Sequence, residues 1–380
     1  MKTVYWSQNV LLARRTLGER IIRKKSIKMR KTRQSHTPRL RPLRLGYVPL
    51  NDCAPLIMAH ELDLFAKHGV EVELCREVGW ATVRDKIIYG ELEAAHAPAG
   101  MVVAASAGIG SIRVDCITGM VINLHGNAIT LSEALWKRGV RDGKGLKREI
   151  ERERGSRKLV FGAVFPFSSH NFLLRSWLQE SGIDPDRDVQ IVIVPPPQVF
   201  PNLKAGNLDG YCVGEPWNSM AVMAGAGFIV ATSGELADHH PEKVLMVRRD
   251  FAEAREAEHL ALIAALMEAC QFCEAQQNRE RIIEMLAEPR YLNAPIQALR
   301  MSMKGTLDFG HGRIEKIPDF YIFARDNANE PTPEKADWVM RGVQAVNPAC
   351  DPAIFASLNP EAMFRADIFH KAIQTTQTTQ

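Results

Sequence analysis

Between residues 45 and 232 the chain alternates short apolar runs with helix-forming segments, breaks off, and then repeats the alternation. Predicted strands at 45–50, 70–75 and 94–98 are separated by predicted helices at 55–68 and 82–89, which Gly69 and Gly90 stop, and a helix over 99–107 follows. A strand at 117–124 and a helix at 131–138 close the first set. Residues 139–157 are charged and Gly-punctuated and read as an exposed crossover. The second set runs through strands at 159–164, 189–194, 211–213 and 228–232 with helices at 168–181, 200–205 and 218–224. Strand–helix–strand spacing of this kind predicts a parallel α/β sheet, made twice. From Phe251 onward the pattern is mainly helical, and residues 375–380 read as a frayed polar end.

Two such sets and a helical completion predict a two-lobed α/β fold of the periplasmic-binding-protein type (type II), with a ligand cleft between the lobes. The expected division is a disordered basic tail over 1–43, a first lobe from 44–138 and 234–374, and a second lobe over 139–233. Hinge closure about the cleft is the motion such a fold implies.

Charge sorts along the chain. The net charge of +4 comes from residues 1–44, which hold fourteen Lys and Arg against Glu19 alone; the remainder holds 34 basic and 43 acidic residues. A mildly acidic body is a poor nucleic-acid binder, so no direct nucleic-acid contact is expected. The longest apolar runs, such as 261–267, fall far short of the roughly 20 residues of a membrane span. Residues 10–13 are only four apolar residues and arginines follow, including Arg14-Arg15, so the expectation is a cytoplasmic protein, or a periplasmic one if the chain truly begins elsewhere. Seven cysteines show no disulfide framework. Cys270 and Cys273 form a CxxC on a predicted helix, open to a redox or metal reading or to burial as small residues on one face. No second CxxC or His pair completes a zinc site, and neither a metal nor a cofactor is expected.

Four turns after strand ends carry the chemistry. Trp80 in Gly79-Trp80-Ala81-Thr82 offers a flat face and an indole N–H to a cleft, or a core side chain. In His125-Gly126-Asn127, Gly126 lets backbone approach and Asn127 offers an amide donor, or caps an ordinary turn. In Phe167-Ser168-Ser169-His170, small residues such as Ser169 leave helix N-terminal N–H groups open to an anion, and His170 is a donor or a structural cap. Lys243, in His240-Pro241-Glu242-Lys243, precedes an apolar run. If that run is a strand, the lysine is partly buried and needs an anion; otherwise it is a surface lysine with a packed stem. Glu215, in Val213-Gly214-Glu215-Pro216-Trp217-Asn218, could hold His170 or Lys243 in charged form or cap a helix; a carboxylate facing an anionic ligand would repel it.

The strings Gly79-Trp80-Ala81-Thr82-Val83-Arg84-Asp85, Pro195-Pro196-Pro197-Gln198, Val213-Gly214-Glu215-Pro216-Trp217-Asn218, Gly234-Glu235-Leu236 and His240-Pro241-Glu242-Lys243 resemble the nitrate/bicarbonate-binding proteins of ABC transporters, over about residues 43–250. That resemblance implies a non-enzymatic pocket for nitrate or nitrite lined by Trp80, Asn127, His170 and Lys243. Asn127 departs from it, since the nitrate binders carry Gln there. Bicarbonate-binding members carry an acidic group, suited to a metal ion, in place of the lysine, so Lys243 favours nitrate. The resemblance extends to a cytoplasmic NasS-like nitrate/nitrite sensor that restrains an RNA-binding antiterminator, which is the first expectation for the role. The alternative is the binding component of a transporter, with an ABC permease as partner. An enzyme resembling thiamine-pyrimidine synthases, with His170 reactive, is the third reading.

Overall fold

A computed structural model gives the structure of the chain and describes residues 41–155 and 157–378; all but the last three residues of the expected tail 1–43 lie outside the described residues. The strands are β1 (Leu43–Tyr47), β2 (Val72–Arg76), β3 (Ala94–Pro98), β4 (Cys116–His125), β5 (Asn127–Ser132), β6 (Leu159–Ala163), β7 (Val189–Ile193), β8 (Gly210–Gly214), β9 (Gly227–Thr232), β10 (Pro241–Arg248), β11 (Thr306–Gly310), β12 (Arg313–Lys316) and β13 (Tyr321–Ile322). They form a six-stranded sheet of order β13-β4-β10-β3-β1-β2, a five-stranded sheet of order β7-β6-β8-β5-β9, and the hairpin β11-β12.

The expectation of parallel sheets is half right. β1 runs parallel to β2 and β3, and β6 runs parallel to β7 and β8. Besides the short edge strand β13, which lies antiparallel on β4, the exceptions are the strands that arrive from the other sheet. β5 follows β4 out of the six-stranded sheet and lies antiparallel between β8 and β9. β10 follows β9 out of the five-stranded sheet and lies antiparallel between β3 and β4. The chain therefore changes sheets at Gly126, not at residue 138 as the sequence suggested, and returns between Thr232 and Pro241.

The segment expected as a helix over 131–138 ends β5 and keeps only the helix Glu133–Lys137. Its apolar and β-branched residues Ala128, Ile129, Thr130 and Leu131 are all buried, and a buried strand shows no alternation to set it apart from a helix. The charged crossover contains the helix Gly143–Arg152, capped by Asp142, whose carboxylate accepts from the Gly145 amide at 2.6 Å. The last helix continues through Thr378, where fraying was expected.

Three apolar clusters hold this together. One packs the helices Ala54–Glu61, Glu256–Glu274 and Arg279–Ala287 on the six-stranded sheet, and one packs the helix Ser169–Glu180 on the five-stranded sheet. A third joins Val83, Val102, Val121 and Val244 of the first lobe to Phe165, Phe167, Val199 and Val213 of the second. Contiguous core across the seam means that the lobes are closed on each other. Cys270 and Cys273 are free and buried on the Glu256–Glu274 helix, and burial raises both thiols, Cys273 to about 12, which suits packing and not redox chemistry. Among the described residues no group of His, Cys, Asp or Glu could hold a metal ion, and no helix is long and apolar enough to cross a membrane.

Candidate functional site

The two sheet changes meet at the seam. At the first, Gly126 has φ +98°, and a Cβ there would lie 2.2 Å from the Tyr321 ring, so only glycine lets the chain turn from β4 into β5. Asn127 is thereby the first residue of β5 and is buried at the seam. At the second, β10 pairs with β4 through register shifts between Pro241 and Lys243 and between Lys243 and Val244. A regular strand would point Glu242 and Lys243 to opposite faces. The bulge re-aims them, and both side chains enter one cluster.

That cluster is buried. Lys243 is 0% exposed, which removes the surface-lysine reading. Its ammonium lies 2.8 Å from Asp52 Oδ2, is paired with Glu242 Oε1, and sits 5.3 Å from the centre of the Trp80 ring. Asp52 comes from the 3-10 turn Asn51–Cys53 after β1. Trp80 opens the helix Trp80–Ile88; its ring is tilted against that of His96, and its indole nitrogen is buried with no hydrogen-bond partner.

From the second lobe, Ser168 caps the helix Ser169–Glu180 and its first two residues turn inward. Ser169 Oγ and Asn127 Nδ2 both donate to Glu242 Oε2, and the two donors are 3.5 Å apart. His170 Nε2 lies 3.6 Å from Glu242 Oε1, and both its ring nitrogens are buried without a hydrogen-bond partner. His240 Nδ1 is 3.9 Å from Glu242 Oε2, and His96 Nε2 is 3.4 Å from Asp52 Oδ1.

Burial decides the histidines: it lowers His170 and His240 to about 4, outweighing the attraction of Glu242, and it holds His96 well below its ordinary value. All three are neutral near pH 7. Burial works against ionisation of Glu242 too, but Lys243, His170 and His240 together overcome it and hold the carboxyl below its ordinary range. Asp52 goes the other way; burial raises it although Lys243 opposes this. Lys243 is raised, because its two carboxylates outweigh burial. The ion pair is thus Lys243–Glu242, with Asp52 the more easily protonated partner.

The sequence-predicted residues Trp80, Asn127, His170 and Lys243 are brought together, with Ser169 among them and Gly126 at the turn that delivers Asn127. Glu215 is not. It is fully buried at the Glu215–Pro216 cis bond and accepts from the Ser219 amide at 3.0 Å, capping the helix Trp217–Met223. Burial raises it to about 7. Capping was one of the two roles open to it; the role of keeping Lys243 charged belongs to Glu242 and Asp52 instead, and His170 is neutral. Sequence reasoning missed Asp52, His96 and Glu242. Glu242 stood inside a quoted string but was not singled out; a regular strand would turn it away from Lys243, and the bulge reverses that.

Two closed lobes with a buried polar cluster where the chain changes sheets define the architecture of periplasmic-type substrate-binding proteins. Residues 36–287 match the NMT1-like family, and the chain belongs to that family. It is 39% identical over 301 residues to the nitrate import ATP-binding protein NrtC of Synechocystis sp., covering 78% of this chain and 45% of that protein. It is 40% identical over 300 residues to the bicarbonate transport ATP-binding protein CmpC of Synechococcus elongatus, 78% of this chain and 44% of that one. The chain thus spans less than half the length of these two relatives. It is 32% identical over 315 residues to the nitrate/nitrite binding protein NrtA of Synechococcus elongatus, covering 80% of this chain and 71% of NrtA. Among solved structures, the periplasmic nitrate-binding protein NrtA from Synechocystis PCC 6803 superposes with TM-score 0.82 at 27% identity over 90% of each chain. The alkanesulfonate-binding protein SsuA from Xanthomonas axonopodis, at TM-score 0.61 and 16% identity over 86% of this chain and 97% of that one, shares the fold.

Proposed function

We propose that the protein binds nitrate or nitrite between its lobes, without catalysis. The observation that carries the reading is the convergence of Asn127 Nδ2, Ser169 Oγ, His170 and the Lys243 ammonium on one small planar oxyanion group, the carboxylate of Glu242. Nitrate is also small, planar and anionic, and it has acceptors only, so it calls for a ring of donors. Charge-assisted hydrogen bonds contribute about 1.5–3 kcal/mol each, and three or four of them, after ordering costs, support a micromolar site of about −8 kcal/mol. The NrtA relatives, named for nitrate and nitrite, favour the same ligand.

Calorimetric titration of the full chain with nitrate, nitrite and bicarbonate tests this. Nitrate heat is expected in the wild type and none in Lys243→Ala; unchanged binding in that variant removes Lys243 from the site. For the role, kinship to a nitrate import protein and to NrtA favours the binding component of an ABC importer, with a permease as partner. The sensor reading is the second proposal. Its support is the basic segment before residue 45, opposite in charge to the body and suited to an acidic partner surface. Co-purification with a permease and ATPase, or with an antiterminator, together with compartment fractionation, separates the two roles.

A further inference from the structure

We propose that Glu242 competes with the oxyanion for one set of donors, and that the oxyanion therefore binds together with one proton, which Glu242 takes up. The proposal deepens the oxyanion reading and rests on it. The competition is geometric. Glu242 Oε2 accepts from Asn127 and Ser169, while Oε1 pairs with Lys243 and faces His170 Nε2 at 3.6 Å. These are the donors that a nitrate ion would use, and a carboxylate presents the same flat pair of oxygens. One donor set cannot serve both.

Charge leads to the same place. The cluster holds two carboxyl groups, Asp52 and Glu242, against the single ammonium of Lys243, all at 0% exposure. The other groups facing Glu242 add no positive charge near pH 7: His170 from the helix Ser169–Glu180, His240 from β10 and His96 from β3 are neutral, as are the Cys212 thiol of β8 and the Tyr321 phenol of β13. An anion entering a buried site that already holds a carboxylate meets repulsion that bulk water screens little. Asp52 is the more readily protonated carboxyl in the ligand-free cluster, but it does not occupy the Asn127 and Ser169 donors; only a proton on Glu242, displaced from them by the entering anion, removes both obstacles. The neutral carboxyl releases Lys243, and its new O–H can donate to a ligand that has only acceptors. One O–H bond forms, the proton comes from solvent, and no other covalent bond changes.

Titrate the full chain with sodium nitrate at pH 6, 7 and 8, in buffers of differing ionisation enthalpy. The expected result is a Kd that rises about tenfold per pH unit, with one proton taken up per nitrate. Glu242→Gln supplies a permanently neutral donor; at pH 8 it should bind nitrate at least tenfold more tightly than the wild type, with a flat pH profile and no proton uptake. Glu242→Asp, which still titrates, should keep the slope. Nitrate heat without proton uptake in the wild type overturns the proposal and leaves the oxyanion reading standing. Proton uptake that persists in Glu242→Gln moves the proton to another group, Asp52 first, whose carboxyl burial already raises. Loss of binding in a Glu242→Gln protein with wild-type circular dichroism makes Glu242 a positioning residue for Lys243 and His170. No nitrate heat in any of the proteins sinks the oxyanion reading and this proposal with it.

Discussion

The two lobes contribute to the site in unequal kind. The six-stranded lobe supplies every formal charge, from Asp52, Glu242 and Lys243, and sets Trp80 and His96 beside them. The five-stranded lobe supplies only neutral donors, from Asn127, Ser169 and His170. One half is therefore a preassembled charge cluster with its own internal ion pairs, and the other half completes it. If the lobes open, Lys243 keeps its carboxylates but Glu242 loses its neutral partners. Recognition of a ligand then belongs to closure, and affinity reports the closed population as much as the contacts.

Breaking the charged half should cost the most. In Lys243→Ala, Asp52 and Glu242 are left buried with no counter-charge, a situation that costs about 3–5 kcal/mol. The pH dependence of the loss identifies its origin. With the ammonium gone, burial raises both carboxyls above their unfolded values, so the deficit is present at high pH and shrinks as pH falls through the raised values. Urea unfolding at pH 8 and pH 5 should show a larger deficit at pH 8. An equal deficit at both would assign the loss to packing alone.

The neutral half has an acid limit of its own. His170 is held at about 4 by burial, as are His240 at the seam and His259 in the distant core of the first lobe. Their unfolded values lie near 6.5, so below that pH the unfolded chain binds more protons, and stability falls as pH drops from about 6.5 toward 4. Each of the three should contribute a loss on the order of 3 kcal/mol, read from chemical denaturation. Replacing His170 with Gln should flatten part of this slope, and His259→Gln should flatten a comparable part without touching nitrate affinity.

The lobes could be told apart in the sequence, but their joint could not. Alternation and glycine stops located β1 to β4 and β6 to β9 to within a few residues, because each is short and bounded by Gly, Pro or a helix. The joint failed where local signals are silent. β5 is buried on every residue and shows no period, and the change of sheet at Gly126 depends on Tyr321, almost two hundred residues away. Trp80, Asn127, His170 and Lys243 were legible because they stand in distinctive strings beside strand ends. Asp52 and His96 sit in plain surroundings, and a regular strand would turn Glu242 away from Lys243, an alternation that a β-bulge cancels.

Closure itself can be perturbed without touching a donor. A Cβ at Gly100, in the helix Ala99–Ala107 of the first lobe, would lie 2.3 Å from the carbonyl oxygen of Phe167 in the second. Beyond a tight contact with Val343 of its own lobe, Gly100→Ala clashes severely only when the lobes are shut, and that clash is with backbone, which yields little. Nitrate affinity should fall about thirtyfold, or about 2 kcal/mol, and small-angle scattering should show a larger radius of gyration at saturating nitrate. Wild-type affinity in this variant would mean that the lobes bind without meeting as they do here.

The smallest effect tests how the halves communicate. Asn127 opens β5 in the second lobe and donates to Glu242 of the first, while its own Oδ1 is buried without a hydrogen-bond partner. Asn127→Ala removes one charge-assisted donor, and nitrate affinity should drop about tenfold, near 1.4 kcal/mol. If Glu242 and the ligand draw on the same donors, Asn127 and Glu242 are coupled, and the loss should change in a Glu242→Gln background. A double-mutant cycle measures that coupling directly. Additive losses would mean that Asn127 serves the ligand and Glu242 through separate geometries. A large departure from additivity would place both residues on one shared acceptor position, with the charged and neutral halves joined through it.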